Sequence, residues 1–192
     1  MKLAREFALE DFELAVHETK TSEVIENVHN HRSELGILYL NDFNRKAMQK
    51  IFAENDLEFT ELFQCDVYVY LSNHHPLAGR DKITFEELGD YPCLSFEQGD
   101  KNSFYFAEEV FSTLQYKQMI KADDRATMLN LMVGMNGYTL CSGIICEELN
   151  GDGYSAIPLE TDEKMTIGYI KRKGMHISHI GKSYIEILRG YA

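Results

Sequence analysis

The chain has 192 residues, of which 44% are hydrophobic and 26% are charged, so it can bury a core as one large domain or two small ones. Its net charge of −12 at pH 7, without a basic stripe, opposes binding to the phosphate backbone of DNA or RNA. The four cysteines form no CxxC pair, and no apolar run approaches the ~18 residues of a membrane span. We therefore expect a cytoplasmic globular protein with free thiols and no membrane contact.

Strands and helices alternate along the first 72 residues. FELAVHE (12–18) alternates apolar with polar residues, which predicts a strand, and TKTSEVIENVHNHR (19–32) predicts a helix that Thr21 or Ser22 can cap. Three further elements are predicted in order: a buried strand at ELGILYL (34–40), a helix at RKAMQKIFAEN (45–55) and strand-rich structure at LEFTELFQCDVYVYLS (57–72).

The second part of the chain continues this alternation after a turn and a short helix. Strands are predicted at 92–98, 117–123, 137–142, 154–160 and 165–172. Helices are predicted from Asn102 or Ser103 to about Leu114, from a cap at Asp124 to about Val133, and over 177–191. Alternating strands and helices predict βαβ units with parallel sheets, which is an α/β fold class.

No residue pattern in the chain is typical of a catalytic or metal site. On a helix, His29 and His31 face different directions, and the adjacent His74 and His75 point apart in an extended chain. The motifs GxSxG, GxGxxG and GxxxxGK[ST] are absent, and GMNG (134–137) follows a predicted helix, whereas a phosphate loop precedes one. We therefore predict no catalytic residue, no metal and no cofactor.

Polar residues occupy three predicted strand-to-helix loops, at residues 19–22, 98–103 and 123–125. In an open parallel sheet such loops lie at the carboxyl ends of strands, where ligands bind, and helix N-termini offer free N–H groups to small anions. The alternative is that each Thr, Ser or Asp only caps its helix. The predicted ligand-binding residues are Thr19, Lys20, Thr21, Phe96, Gln98, Asn102, Arg125 and Thr139.

Several segments resemble the effector-binding domain of LysR-type transcriptional regulators. Ser33–Ile37 matches the family pattern (S/D)-(D/E)-(L/I)-G-I, and His75–Ala78 matches its His-Pro-Leu-Ala turn, which gives His75 a structural role. Ile83–Pro92 matches a short helix that leads into a Tyr-Pro strand. The resemblance covers nearly the whole chain, through a terminal helix at Ser178–Leu188. One departure is Met135, which stands where the family has a glycine, although we expect the turn to form.

The resemblance implies the type-2 periplasmic-binding-protein architecture, in which two Rossmann-like lobes are joined by two crossover strands. The crossovers are expected near Pro92 and near Leu159. Lobe I would then hold residues 1–91 and 160–192, and lobe II residues 92–159. The family's first strand and its N-terminal winged helix-turn-helix are expected to be absent from this chain.

The same resemblance implies an effector-binding regulatory domain that senses a small metabolite between the lobes and controls transcription. From the polar loops we expect that metabolite to be an anion. The expected partners are this effector, other copies in a homodimer or homotetramer, and DNA only through the missing N-terminal domain. The domain would not be an enzyme. Two alternatives stay open: a free-standing solute-binding protein of the same fold and an enzyme on that scaffold.

Overall fold

The computed structural model describes Leu3, Phe7 and residues 12–99, 104–144 and 151–191. The helices are Thr21–His29 (α1), Arg45–Glu54 (α2), Phe85–Leu88 (α3), Arg125–Met135 (α4) and His179–Arg189 (α5). The strands are Gly36–Leu40 (β1), Leu57–Asp66 (β2), Tyr68–Ser72 (β3), Cys93–Phe96 (β4), Met119–Ala122 (β5), Tyr138–Cys141 (β6), Tyr154–Pro158 (β7) and Lys164–Arg172 (β8). Among the described residues, no helix is long and apolar enough to cross a bilayer.

The first sheet has the order β1-β8-β2, and together with α1 and α2 it is called lobe I. Both helices are amphipathic and bury one face, so Val28, Met48 and Phe52 pack with Leu40 and Ile170 of the sheet. The sequence predicted parallel pairing, but in this sheet β8 is antiparallel to both β1 and β2. The reason is that the chain enters β8 from the other sheet and runs back between its two neighbours.

The second sheet has the order β5-β4-β6-β3-β7, and together with α4 it is called lobe II. Strand β4 is parallel to β5 and β6, whereas β3 is antiparallel to β6 and β7, so the sheet is mixed. Helix α4 packs Met128 and Met132 against Tyr70 and Leu94 on one face of this sheet. The fold is therefore α/β with two lobes.

The chain crosses between the lobes at two adjacent places. The first is Val67, between β2 and β3, and the second is the segment 159–163, between β7 and β8. The backbone N–H of Leu159 donates to the carbonyl of Val67 at 3.0 Å, and both side chains are buried. The prediction placed the first crossover near Pro92, but Tyr68–Ser72 already pairs within lobe II. Alternating apolar and polar residues occur on both sides of Val67, so the pattern does not show where the chain changes sheet.

Two predicted elements differ in the structure. Residues 12–18, predicted as a strand, form no strand and pair with none among the described residues. The helix predicted from Asn102 or Ser103 to Leu114 is present, within its described part, only as a 3-10 turn at Phe104–Phe106. Phe111 has a φ of 61°, a left-handed conformation that an α-helix does not accommodate.

The turn that carries the paired histidines is held by the buried ring of His75. Its Nδ1 accepts from the Leu77 N–H at 3.0 Å, so the proton of the neutral ring lies on Nε2, which donates to the Asn136 carbonyl at 3.0 Å. The ring also packs against Tyr91, with centroids 4.4 Å apart. Asn136 in turn ends α4 in the left-handed conformation, so the helix terminates although Met135 replaces the family's glycine. The structural role predicted for His75 agrees with these contacts.

Candidate functional site

A cavity of about 530 Å³ lies between the two lobes. Lobe I lines it with residues just before and within α1, with β1 and with β8. Lobe II lines it with the ends of β4 and β6, the segment 105–109 and the first residue of α4. A volume of this size suits a small molecule.

The lining combines apolar and polar side chains. Ile37, Leu38 and Ile167 form part of the apolar wall on the lobe I side. Hydroxyl groups enter from both lobes, including those of Thr19 and Thr139. Such a mixture typically buries the body of a ligand and orients it through a few polar contacts.

An ion pair joins the lobes at the mouth of the cavity. Arg125, the first residue of α4, donates from Nε to Oε1 of Glu18 at 2.6 Å, and Glu18 lies in the segment before α1. The two side chains are 60% and 63% exposed, so solvent screens the pair and its net contribution to stability is small. A carboxylate from a ligand can therefore compete with Glu18 for this guanidinium.

A second contact between the lobes runs through Gln98, whose side chain is buried. Its Oε1 accepts from the backbone N–H of Thr21 at the start of α1, at 3.2 Å. Its Nε2 donates to Glu108 Oε1, also at 3.2 Å. Nearby, the Tyr39 hydroxyl donates to the Ala107 carbonyl at 3.2 Å. The segment 104–109 of lobe II is therefore tied to both α1 and β1 of lobe I.

Two carboxyl groups in the lobe II wall have raised pKa values. Glu109 is 8% exposed and accepts from Ser95 Oγ at 2.8 Å and from the Phe96 N–H at 2.9 Å. Burial raises the pKa of Glu109 to about 7, against the opposing effect of those two hydrogen bonds. Burial also raises the pKa of Glu108. Near neutral pH this wall is therefore less negative than its sequence indicates.

Comparison with known families identifies the chain. Residues 6–192 match the family model described as the LysR substrate binding domain. The chain belongs to this family. The family comprises ligand-binding domains of transcriptional regulators and is not an enzyme family.

A curated relative of this LysR domain is the malolactic fermentation system transcriptional activator of Lactococcus lactis subsp. lactis (strain IL1403). The two are 27% identical over 137 residues, which are 69% of this chain and 46% of the relative. The chain thus spans about half the length of the curated relative that it matches.

Solved structures share the fold of the LysR domain. HinK, a LysR family transcriptional regulator from Pseudomonas aeruginosa, aligns with a TM-score of 0.65 and 15% identity, over 99% of this chain and 64% of that one. The effector binding domain of QuiR in complex with shikimate aligns with a TM-score of 0.62 and 18% identity, over 99% and 86% of the chains. The oxidized form of OxyR aligns with a TM-score of 0.61 and 20% identity, over 98% and 85%. At these identities the likeness establishes the fold, which is the type-2 periplasmic-binding-protein type.

The predicted ligand-binding residues of the LysR domain fall into four groups. Those that line the interlobe cavity are Thr19, Thr21, Phe96, Arg125 and Thr139. Lys20 lines an adjoining cavity of about 250 Å³ at the mouth. Gln98 bridges the lobes through the hydrogen bonds described above, and Asn102 lies outside the described residues.

The alternative that these residues only cap helices holds for one loop and not for another. Asp124 caps α4, because its carboxylate accepts from the Thr127 N–H at 2.7 Å. At α1 the N-cap residue is Lys20, whose side chain makes no capping hydrogen bond, so the hydroxyl of Thr21 is not committed to a cap. The residues around the mouth include the acidic Glu18, Asp123 and Asp124 and the basic Lys20 and Arg125, so one negative charge is left in excess.

Sequence reasoning missed several polar groups of the cavity, among them Glu18, Tyr39, Tyr70, Glu108 and Glu109. Both tyrosines stand in strands, where their pattern indicates only core packing. Glu108 and Glu109 fall in the segment predicted to be a helix, where a pair of charges is typical of an exposed face. Only the path of this segment along the end of β4 brings them to the cavity.

Proposed function

We propose that this domain senses a small hydroxylated carboxylic acid in the interlobe cavity and thereby controls transcription in a LysR-type regulator. The supporting observation is that the lobes meet across the cavity through two contacts that a ligand carboxylate can replace. One is the ion pair of Arg125 with Glu18, and the other is the hydrogen bond from the Thr21 N–H to Gln98.

The acid group of the effector would take the position that Glu18 holds on Arg125. A guanidinium offers a planar fork of donors that suits a carboxylate. Glu18 takes two of these donors, Nε and Nη2 of Arg125, on its single oxygen Oε1. The Thr21 N–H at the start of α1 is a second donor, which Gln98 satisfies through a neutral amide oxygen. A charged carboxylate is a stronger acceptor than an amide, so the exchange favours the ligand.

Hydroxyl groups on the effector have acceptors in the lobe II wall. Glu108 lines the cavity, and its carboxyl group can accept a hydrogen bond from a ligand hydroxyl. The names of two relatives are consistent with such a ligand. The QuiR domain was solved with shikimate, a hydroxylated carboxylic acid, and the Lactococcus protein activates the malolactic fermentation system.

Regulation would follow from the replacement of contacts between the lobes by contacts to the effector. A ligand shifts a conformational equilibrium only by its different affinity for the two states. Since Glu18 and Gln98 each connect one lobe to the other, releasing them changes the relative free energy of lobe arrangements. In the full-length regulator this change would pass through a homodimer or homotetramer to N-terminal winged helix-turn-helix domains that contact DNA.

Titration calorimetry of this domain with malate, shikimate, lactate and citrate tests the proposal. Replacing Arg125 by Ala should weaken every binder about tenfold or more, the loss expected for a charge-assisted hydrogen bond. Thr21→Ala should weaken binding less, because the backbone N–H remains. Arg189→Ala removes a guanidinium that is also exposed and paired, but on α5, and should leave affinity unchanged. If Arg125→Ala and Thr21→Ala both leave the affinity of every binder unchanged, the proposed site is wrong.

A further inference from the structure

The hydroxyl of Tyr70 is an unsatisfied polar group in the wall of the interlobe cavity. The residue is 9% exposed and lines the cavity. Its oxygen is shielded from solvent and has no hydrogen-bond partner among the described residues. A buried hydroxyl without a partner is destabilising, and most such groups in folded proteins are satisfied. The unpaired hydroxyl of Tyr70 therefore lowers the stability of the domain, and the packing around it does not explain this loss.

The neighbours of Tyr70 are other hydrogen-bond donors of the cavity. Tyr70 on β3 is in register with Thr139 on the antiparallel strand β6, so both side chains stand on the same face of the sheet, and both line the cavity. Burial is the largest cause that raises the pKa of Tyr70, whereas the charge of Arg125 acts to lower it. The phenol therefore remains protonated, and the Arg125 guanidinium lies near enough to act on it.

We propose that Tyr70 determines effector specificity by donating a hydrogen bond from its hydroxyl to an oxygen of the bound acid, beside Arg125. This inference rests on the proposed function, since it assigns a residue to the same cavity. Arg125 and a protonated phenol both act as donors here, so together they select a ligand group with several acceptors, and a carboxylate fits that requirement.

The shielding of the oxygen links this contact to a change of conformation. The Tyr70 ring stacks on Tyr154, with centroids 5.5 Å apart. Because the oxygen is shielded there, binding includes a rotation of the ring or a movement of the groups that cover it. The arrangement in this structure leaves the hydroxyl unsatisfied, whereas an arrangement that turns it toward the cavity lets the effector accept from it, so the effector binds the second more tightly. Such a difference is what a ligand needs to shift a population.

Tyr70→Phe tests the inference because it removes the hydroxyl alone. Without ligand, urea denaturation should give a free energy of unfolding equal to or higher than that of the wild type, since an unsatisfied group is lost. In calorimetric titration with shikimate and malate, affinity should fall about ten- to a hundredfold, as expected for a hydrogen bond to a charged group. Tyr154→Phe removes the same atom from the stacked partner and should leave affinity unchanged.

The outcomes separate this inference from the proposed function. A clear loss of stability in ligand-free Tyr70→Phe would show that the hydroxyl has a partner within the protein, and would overturn the inference. Unchanged affinity in Tyr70→Phe together with weakened binding in Arg125→Ala would overturn the role of Tyr70 and leave the proposed site standing. If neither variant changes affinity, or if no acid of the panel binds the wild type, both the site and the role of Tyr70 are wrong.

Discussion

Replacing Glu109 by Gln should remove much of the pH dependence of stability between pH 5 and pH 8. The carboxyl group is buried, and burial raises its pKa in the folded state from 4.5 to about 7. Gln keeps the shape of the side chain. Its amide oxygen can accept from the Phe96 N–H, and its amide nitrogen can donate to Ser95 Oγ, which the carboxylate now accepts from. The substitution therefore removes the titration and retains both contacts.

The sign follows from linkage between protonation and folding. A carboxyl group whose pKa is raised on folding binds its proton more tightly in the folded state. Its stabilising contribution is fully present below pH 4.5 and is lost as the pH rises through about 7. A shift from 4.5 to about 7 corresponds to roughly 3 kcal/mol over the whole range, of which roughly 2.5 kcal/mol falls between pH 5 and pH 8.

Urea denaturation of the wild type and of Glu109→Gln at both pH values measures this contribution. The difference between the two proteins at pH 8, minus their difference at pH 5, cancels groups that titrate independently of Glu109. We expect this double difference to favour the variant by roughly 2.5 kcal/mol. Glu54→Gln, on the exposed face of α2, makes the same atomic change away from the cavity and serves as the control. A double difference near zero for Glu109→Gln would refute the argument that burial raises the pKa of this carboxyl group in the folded state.

Two further predictions concern the scaffold. His75→Ala should lower the free energy of unfolding, measured by urea denaturation, by about 1–3 kcal/mol, because it leaves two backbone groups unpaired. His74 is exposed, and His74→Ala should change the same free energy by less than about 0.5 kcal/mol. Burial lowers the pKa of His75, so the neutral ring stabilises the folded state. The wild type should lose this stability as the pH falls from 6.5 through the folded-state pKa, whereas His75→Ala has no such contribution to lose. Equal pH profiles of the two proteins would contradict this. Gly168→Ala should lower the free energy of unfolding by about 1–3 kcal/mol, since a Cβ there would lie 2.3 Å from the Phe59 ring and 2.5 Å from the Thr60 carbonyl oxygen. Gly79→Ala meets no atom within 4 Å and should be tolerated. Equal stabilities of the two variants would contradict the close approach of β2 to β8 at Gly168.

Local chemistry made much of the secondary structure predictable. The run ELGILYL, the amphipathic segments 45–55 and 177–191, and the cap at Asp124 all form the elements that their patterns indicate. These features depend on side-chain spacing and on hydrogen bonds between neighbouring residues, which a sequence displays directly. The same local information carries the family resemblance, including the turn at His75.

The tertiary structure decided which strands share a sheet and which polar groups meet. The alternating pattern through residues 57–72 is equally compatible with one long strand or two, and only the pairing of Tyr68–Ser72 with β6 and β7 places the crossover at Val67. The predicted parallel pairing was wrong for the lobe I sheet, in which β8 is antiparallel to both neighbours. Strand direction depends on how the chain returns from lobe II, and the sequence pattern does not show this path.

The cavity combines both kinds of information. The sequence alone pointed to the loops that contain Thr21 and Arg125, because hydroxyl and cationic residues at helix N-termini are recognisable from their order in the chain. It could not show that Gln98 would bridge to Thr21, that Glu109 would be buried against β4, or that the hydroxyl of Tyr70 would be left without a partner. Burial and pairing between residues far apart in the chain arise only when the lobes pack, and these properties set both the pKa values and the unsatisfied donor of the site.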